Sequence, residues 1–273
     1  MKKLSKNNSE MAQKYVNILG INVLSTSIPG LLMGVRGNIT YNKKFCITTP
    51  NPELVLASTK NAMLKQALNF STFSVPDGVG LNYASRFLFG KNLKIIPGRK
   101  LFGKLIELAN KKGWKVFLLG GEGDEAEKAA EKLKLNYKKV RIESFPGPIV
   151  DENAEPATEV DRRLEKDAID KINKFDPHLL FVAMKNPKQE IWIHRNLKGL
   201  NVGGAMAVGG TFRYIAGLSK LPPKWMENMG LEWVWRLFNE PYRVGRILNA
   251  VIVFPWKVFL FKISKSTNLP IYK

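Results

Sequence analysis

Short apolar runs recur along residues 1–220, at 45–49, 70–75, 116–119, 137–142, 179–183 and 201–208, and helical spacing follows most of them. Strand-like and helical stretches alternating about every 25 to 35 residues leave few architectures open. The pattern predicts an α/β fold, a mostly parallel sheet flanked by helices in one doubly wound domain, because parallel neighbours need crossover connections of that length. Helices are expected over 53–68, 101–112, 126–133 and 160–175, the second closed by Gly113. Residues 15–24 read as a first strand. The segment after it, with Pro29, Gly30, Gly34 and Gly37, has no helical periodicity and stays unassigned. Residues 144–158, rich in Pro, Gly and acid, read as a mobile loop over the sheet.

The ends of these runs carry the chemistry. In Phe73-Ser74-Val75-Pro76-Asp77-Gly78-Val79-Gly80 a strand stops at a proline, one carboxylate follows, and two glycines precede a helix. Ligands of open α/β sheets bind outside the carboxyl ends of the strands, which makes Asp77 a candidate reacting group; a helix cap or turn former is the alternative. Thr49-Pro50-Asn51 ends another run, and Lys185-Asn186-Pro187-Lys188-Gln189-Glu190 a third, so Thr49, Asn51, Gln189 and Glu190 join the candidate pocket. Gly120-Gly121-Glu122-Gly123-Asp124 stands between a strand and a helix, where small residues let backbone N–H groups approach an anion. Its order is not the G-x-G-x-x-G fingerprint. A nucleotide diphosphate site and a plain tight turn both fit Gly120 and Gly121.

Charge narrows the partners. Lys plus Arg number 43 against 23 Asp plus Glu, a net charge of +20 that calls for an anionic partner. Beyond Pro222 no strand pattern remains; Trp225, Trp233, Trp235, Phe238, Trp256 and Phe259 interleave with Arg236, Arg243, Arg246, Lys257, Lys262 and Lys265. Aromatic and cationic residues on a helical tail fit an anionic membrane interface. A soluble cap that buries the Trp residues and a nucleic-acid surface are the other readings, and the apolar content of 247–261 argues against nucleic acid. No stretch reaches the roughly 18 to 20 uninterrupted apolar residues of a spanning helix, since Asn249, Pro255 and Lys257 break the closest one. The residues after Met1-Lys2-Lys3 are polar, so a cytoplasmic protein without a signal peptide is expected. Cys46 is a single thiol in an apolar run and reads as a core residue, while His178 and His194 have no metal-ligand spacing. No cofactor is implied.

Five motifs in order, Thr49-Pro50-Asn51, Pro76-Asp77-Gly78-Val79-Gly80, Leu118-Leu119-Gly120-Gly121, Pro187-Lys188-Gln189-Glu190-Ile191-Trp192, and the string from Gly230-Leu231-Glu232-Trp233 to Glu240-Pro241-Tyr242-Arg243, resemble the WecG/TagA/CpsF family of glycosyltransferases. The resemblance covers nearly the whole chain. It implies a Rossmann-like catalytic core, 1–220, and a membrane-associating helical C-terminal appendage, 221–273. It further implies metal-independent, inverting transfer of an N-acetylhexosamine of the N-acetylmannosamine type from a UDP-sugar to an undecaprenyl-diphosphate-linked sugar, for teichoic acid or surface polysaccharide, on the inner face of the membrane. Asp77 matches the base, Thr49, Asn51 and Gln189 match pocket residues, and Arg236, Arg243 and Arg246 match appendage arginines. The family usually has Arg where Ile95 stands and Asp where Lys100 and Arg213 stand, which leaves a non-catalytic, ligand-binding relative as the alternative. The sequence leaves the oligomeric state open, a homo-oligomer included.

Overall fold

The computed structural model describes residues 15–229, 232–239 and 244–267. An antiparallel hairpin, β1 (Tyr15–Ile18) and β2 (Ile21–Leu24), opens the described chain. One strand was expected here. Leu19 and Gly20 both take positive φ, 51° and 88°, and such a two-residue turn reverses the chain with the twist a hairpin requires. The unassigned segment is a helix, α1 (Ile28–Thr40). Ser27 accepts a hydrogen bond from the Gly30 amide and Pro29 sits in the first turn, so capping supplies what periodicity lacks.

The sheet begins at β3 (Phe45–Thr48), followed by α2 (Pro52–Ser58) and α3 (Ala62–Phe70), where one helix was expected. Asn51 and Asn61 each cap a helix by accepting from the amide three residues on, which divides the stretch in two. Then come β4 (Phe73–Ser74), α4 (Val79–Phe89), α5 (Gly98–Lys112), β5 (Lys115–Gly120), α6 (Glu125–Asn136), β6 (Arg141–Phe145), α7 (Glu159–Phe175), β7 (Leu179–Ala183), α8 (Lys188–Asn196), β8 (Gly204–Ala207) and α9 (Thr211–Ile215). Gly113 closes α5 in the left-handed conformation, φ 66°, as its sequence position predicts. Strand β6 starts at Arg141, because Tyr137 still donates to Leu133 at the end of α6.

Six parallel strands lie in the order β4-β3-β8-β7-β5-β6. Alternate residues face opposite sides: Cys46, Leu180, Val182 and Ala205 join one core layer, and Phe45, Ile47, Leu179, Phe181 and Met206 the other. Helices α2, α3, α4, α7 and α8 cover the first face, α1, α5, α6 and α9 the second, as a parallel sheet requires. The 144–158 loop does cross the sheet edge, but it is tied down. Val150 bridges Pro156, the Ile149 amide donates to Asp161, and Lys188 Nζ donates to the Val150 carbonyl at 2.7 Å.

After α10 (Lys224–Asn228) and α11 (Glu232–Asn239), the chain runs through α12 (Val244–Leu248), a π-helical turn at Asn249–Val253, and α13 (Phe254–Thr267). Val244–Ser264 is a continuous helical run of 21 residues, long and apolar enough by length and composition to cross a membrane although its apolar residues are interrupted in sequence. Asn249, Pro255 and Lys257 do not interrupt the helix, since the wider π turn precedes Pro255 and that residue occupies the first turn of α13. This run is docked on the core. Phe254 and Val258 are 2% and 3% exposed and belong to the first core layer, and Lys257 Nζ donates to the Thr59 hydroxyl at 3.1 Å.

Candidate functional site

The loops after β3 and β4 continue side by side past the end of the ladder. The Val75 amide donates to the Thr48 carbonyl and the Asp77 amide to the Pro50 carbonyl, both at 2.8 Å, which sets Asp77 beside the 49–51 segment. The α4 side of this loop needs glycines: a Cβ at Gly80 would lie 2.6 Å from Pro52 Cγ, and Gly78 holds φ 95°. Gly78, the N-cap of α4, offers no side-chain cap, and the Asp77 carboxylate turns to another helix. Its Oδ2 accepts from the Gly98 amide at 3.2 Å, at the start of α5. A helix N-terminus has unpaired donors and attracts negative charge, so Asp77 is held at the sheet edge as a fixed carboxylate. A Cβ at Gly98 would stand 3.0 Å from the Thr49 hydroxyl and 3.5 Å from Asp77 Oδ2; Thr49 and Asp77 therefore flank the same helix end. Gly98 carries no side chain to advertise this role. Pro97-Gly98 before an amphipathic helix was the one signal in the sequence.

Three strands along, past β8, Gln189 at the start of α8 bridges two loops. Its Oε1 accepts from the Gly209 amide at 2.9 Å, and its Nε2 donates to Asn186 Oδ1 and, at 2.9 Å, to Glu190 Oε1. Gln189 and Glu190 are each 3% exposed, so both side chains expected on the pocket wall are buried in this bridge. Burial raises the Glu190 carboxyl from 4.5 to about 7, against the opposing hydrogen bond from Gln189. The Cys46 thiol on β3 is pushed up to about 12, first by burial and then by Glu190, and is a core thiol.

Gly120 and Gly121 serve packing at the β5 end. The Gly121 amide donates to the Ala183 carbonyl at 2.7 Å, the Glu122 amide to Glu125 Oε2 at 3.1 Å, and the 144–158 loop brings Gly147 against Gly120. The Gly121 and Glu122 amides are thus engaged within the protein. Among the described residues no cluster of three or more His, Cys, Asp or Glu side chains could hold a metal ion.

Of the three appendage arginines, Arg246 donates from Nε to Glu53 Oε1, two residues beyond Asn51. Arg236 falls on α11 with its side chain outside the description, and Arg243 lies outside the described residues. Glu53, like Gly98, was not singled out in the sequence; an acid in the first turn of a helix is ordinarily a dipole partner.

Residues 16–268 match the model of the glycosyl transferase WecG/TagA/CpsF family. The chain belongs to this glycosyltransferase family. Its similarity to relatives runs the length of the fold: it is 30% identical over 92% of both chains to an N-acetylglucosaminyldiphosphoundecaprenol N-acetyl-beta-D-mannosaminyltransferase of Staphylococcus aureus strain MW2. A protein of the same name from Bacillus subtilis strain 168 is 30% identical over 74% of this chain and 75% of its own. As a member of the family the chain is a glycosyltransferase. Two of the three positions set apart in the sequence have local partners, and the third, Lys100, is exposed. Arg213 faces Glu122 and Glu125 at 3.5 and 3.8 Å, and Ile95 packs against the core.

Proposed function

We propose that this glycosyltransferase moves an N-acetylhexosamine of the N-acetylmannosamine type from a UDP-sugar to a polyprenyl-diphosphate-linked N-acetylglucosamine, at the cytoplasmic surface of the membrane. The names of its relatives supply the sugars and the lipid carrier. One observation carries the site: the Asp77 carboxylate, fixed on the Gly98 amide beside the Thr49 hydroxyl, stands at the carboxyl edge of a parallel sheet. Asp77 takes the proton of the acceptor hydroxyl as that oxygen attacks the anomeric carbon, and UDP leaves from the opposite face with inversion. Asn51 has its Oδ1 committed to the Leu54 amide, which leaves its NH₂ group to face a sugar hydroxyl or amide. Gln189, locked between Asn186, Gly209 and Glu190, fixes the loops after β7 and β8 at the same sheet edge.

The diphosphate of the leaving group needs positive charge that needs no reorganisation as it leaves. Arg246 is tethered at the start of α2, next to this edge, and Arg236 and Arg243 precede it in sequence. Residues 221–273 thereby act as an appendage that joins the 1–220 core to the membrane and completes the site. Burial of Phe254 and Val258 against the core favours an interfacial helix over a spanning one, because a helix crossing the bilayer would withdraw both from that contact.

The reading is tested by incubating the protein with UDP-N-acetylmannosamine, UDP-N-acetylglucosamine and UDP-N-acetylgalactosamine, each with a lipid-diphosphate-N-acetylglucosamine acceptor. UDP release that depends on both the acceptor and the first donor is expected. Release with none of the donors, or equal release without acceptor, would overturn it.

A further inference from the structure

Helix α4 belongs to the core, yet one of its faces is left apolar and uncovered. Val79, Tyr83 and Phe87, spaced four apart, form one stripe and are 38%, 63% and 44% exposed, while Leu81, Ala84 and Ser85 are buried on the other side. The stripe does not stop at the end of the core. The Phe87 ring lies 6.4 Å from that of Phe259 on α13, and Phe259 stacks on Trp256 at 5.6 Å and 24°. Trp256 and Phe259 are 59% and 42% exposed, and Ile252 and Ile263 continue the surface. Residues far apart in sequence thus make one aromatic surface.

Cations border this surface, and the helices that form it carry no acid. Lys262 Nζ sits 4.1 Å from the centre of the Phe87 ring and donates to the Phe87 carbonyl, and Arg86 is exposed beside the stripe. Neither α4 nor residues 244–267 contains an Asp or a Glu. A second protein surface could cover the aromatic rings, but helices that carry cations and no acids are complementary to an anionic lipid surface, where Lys and Arg reach the headgroups and aromatic rings enter the interface.

We infer that the Val79–Tyr83–Phe87 face of α4 is the second half of the bilayer-contacting surface, so that the core and the appendage lie on anionic lipid together. The inference rests on the membrane reading of the appendage given above and adds the core to it. Its consequence is positional. Asp77 is two residues before Val79, at the amino end of a stripe that runs about 12 Å along the helix, at ~1.5 Å per residue. Lipid contact along α4 sets the Asp77 edge close to the headgroups, where the diphosphate of a lipid-linked acceptor lies.

The test compares the wild-type protein with Phe87→Ser and Tyr83→Ser variants in sedimentation with vesicles of phosphatidylcholine and phosphatidylglycerol, roughly 7:3, the anionic lipid supplying the surface charge. Each variant should partition about tenfold more weakly, the loss expected for one interfacial aromatic side chain. Binding equal to wild type in a folded Tyr83→Ser variant would overturn the inference and leave the membrane reading of the appendage standing; failure of the wild-type protein to bind would sink both. Should Phe87→Ser unfold, a Tyr83→Cys variant carrying an environment-sensitive fluorophore gives the answer: a blue shift with vesicles is expected, and no shift in protein that sediments with them would overturn it. If sedimentation velocity without lipid shows a dimer that Tyr83→Ser dissociates while vesicle binding is unchanged, the face is a contact between copies and the inference fails.

Discussion

Arg246 and Glu53, 193 residues apart, form an ion pair that ties the appendage to the first turn of the helix capped by Asn51. The pair is partly exposed, 44% and 33% at the two side chains, so it contributes little to stability, about 0.2 to 1 kcal/mol. Its effect is on position. Arg246→Ala and Glu53→Ala should each lower Tm by no more than a few degrees and lower UDP release much more. The double variant should lose little beyond the worse single one. Additive losses in rate would mean that the two residues act separately.

Asp77→Asn keeps an oxygen to accept from Gly98 and removes the proton acceptor. Transfer should fall by about 10² to 10⁴, with UDP-sugar affinity unchanged within a few-fold. More than half of wild-type turnover would remove Asp77 from the chemistry. A fall in Tm of many degrees would assign the carboxylate to holding α5.

Glu190 makes stability depend on pH. Its carboxyl is raised from 4.5 to about 7 in the folded protein, so between those values the native state holds a proton that the unfolded state has lost. Its contribution is full below 4.5, declines as pH rises, and is gone above about 7. Glu190→Gln should therefore match wild type at pH 4 and be more stable at pH 8, by up to about 3 kcal/mol at 1.36 kcal/mol per pKa unit. Parallel curves of stability against pH for the two proteins would show that Glu190 titrates normally.

Gly121 holds φ 90°, and a Cβ there would meet that of Glu125 at 2.9 Å. Gly121→Val should cost about 1 to 3 kcal/mol from backbone strain alone, with further loss from the contact. Thermal denaturation measures it. A folded variant with wild-type Tm and weakened UDP affinity would return this turn to the nucleotide site.

Deleting residues after Leu221 should abolish UDP release and strongly weaken vesicle binding, and it should also lower Tm. The last effect follows from Phe254 and Val258, whose loss uncovers apolar surface on the face formed by α2 and α4. Full activity in the truncated protein would remove the appendage from the reaction. An unchanged Tm would mean that the docked helix adds nothing to the core.

Much of this molecule is written locally. The apolar runs, the glycine after α5 and the polar residues after each strand end are short-range signals, because strand and helix formation and capping depend on neighbours within a few residues. They gave the α/β class, the parallel sheet and the candidates Thr49, Asn51, Asp77 and Gln189, and the order of the motifs gave the family. Where one local signal hid another, the reading failed: capping by Ser27 outweighed missing periodicity in α1, and Leu19-Gly20 split an apparent strand. The other differences arise across the sheet. No residue near Asp77 in sequence reveals that the Gly98 amide holds it, none near Gly120 that Ala183 and Gly147 close over it, and none near Glu190 that its carboxyl is buried. Nor does the tail disclose that Phe259 meets Phe87 and Arg246 meets Glu53. Strand order β4-β3-β8-β7-β5-β6 decides these contacts, since it brings together chain ends tens to hundreds of residues apart, and that order is set by which apolar faces pack best once all of them are present.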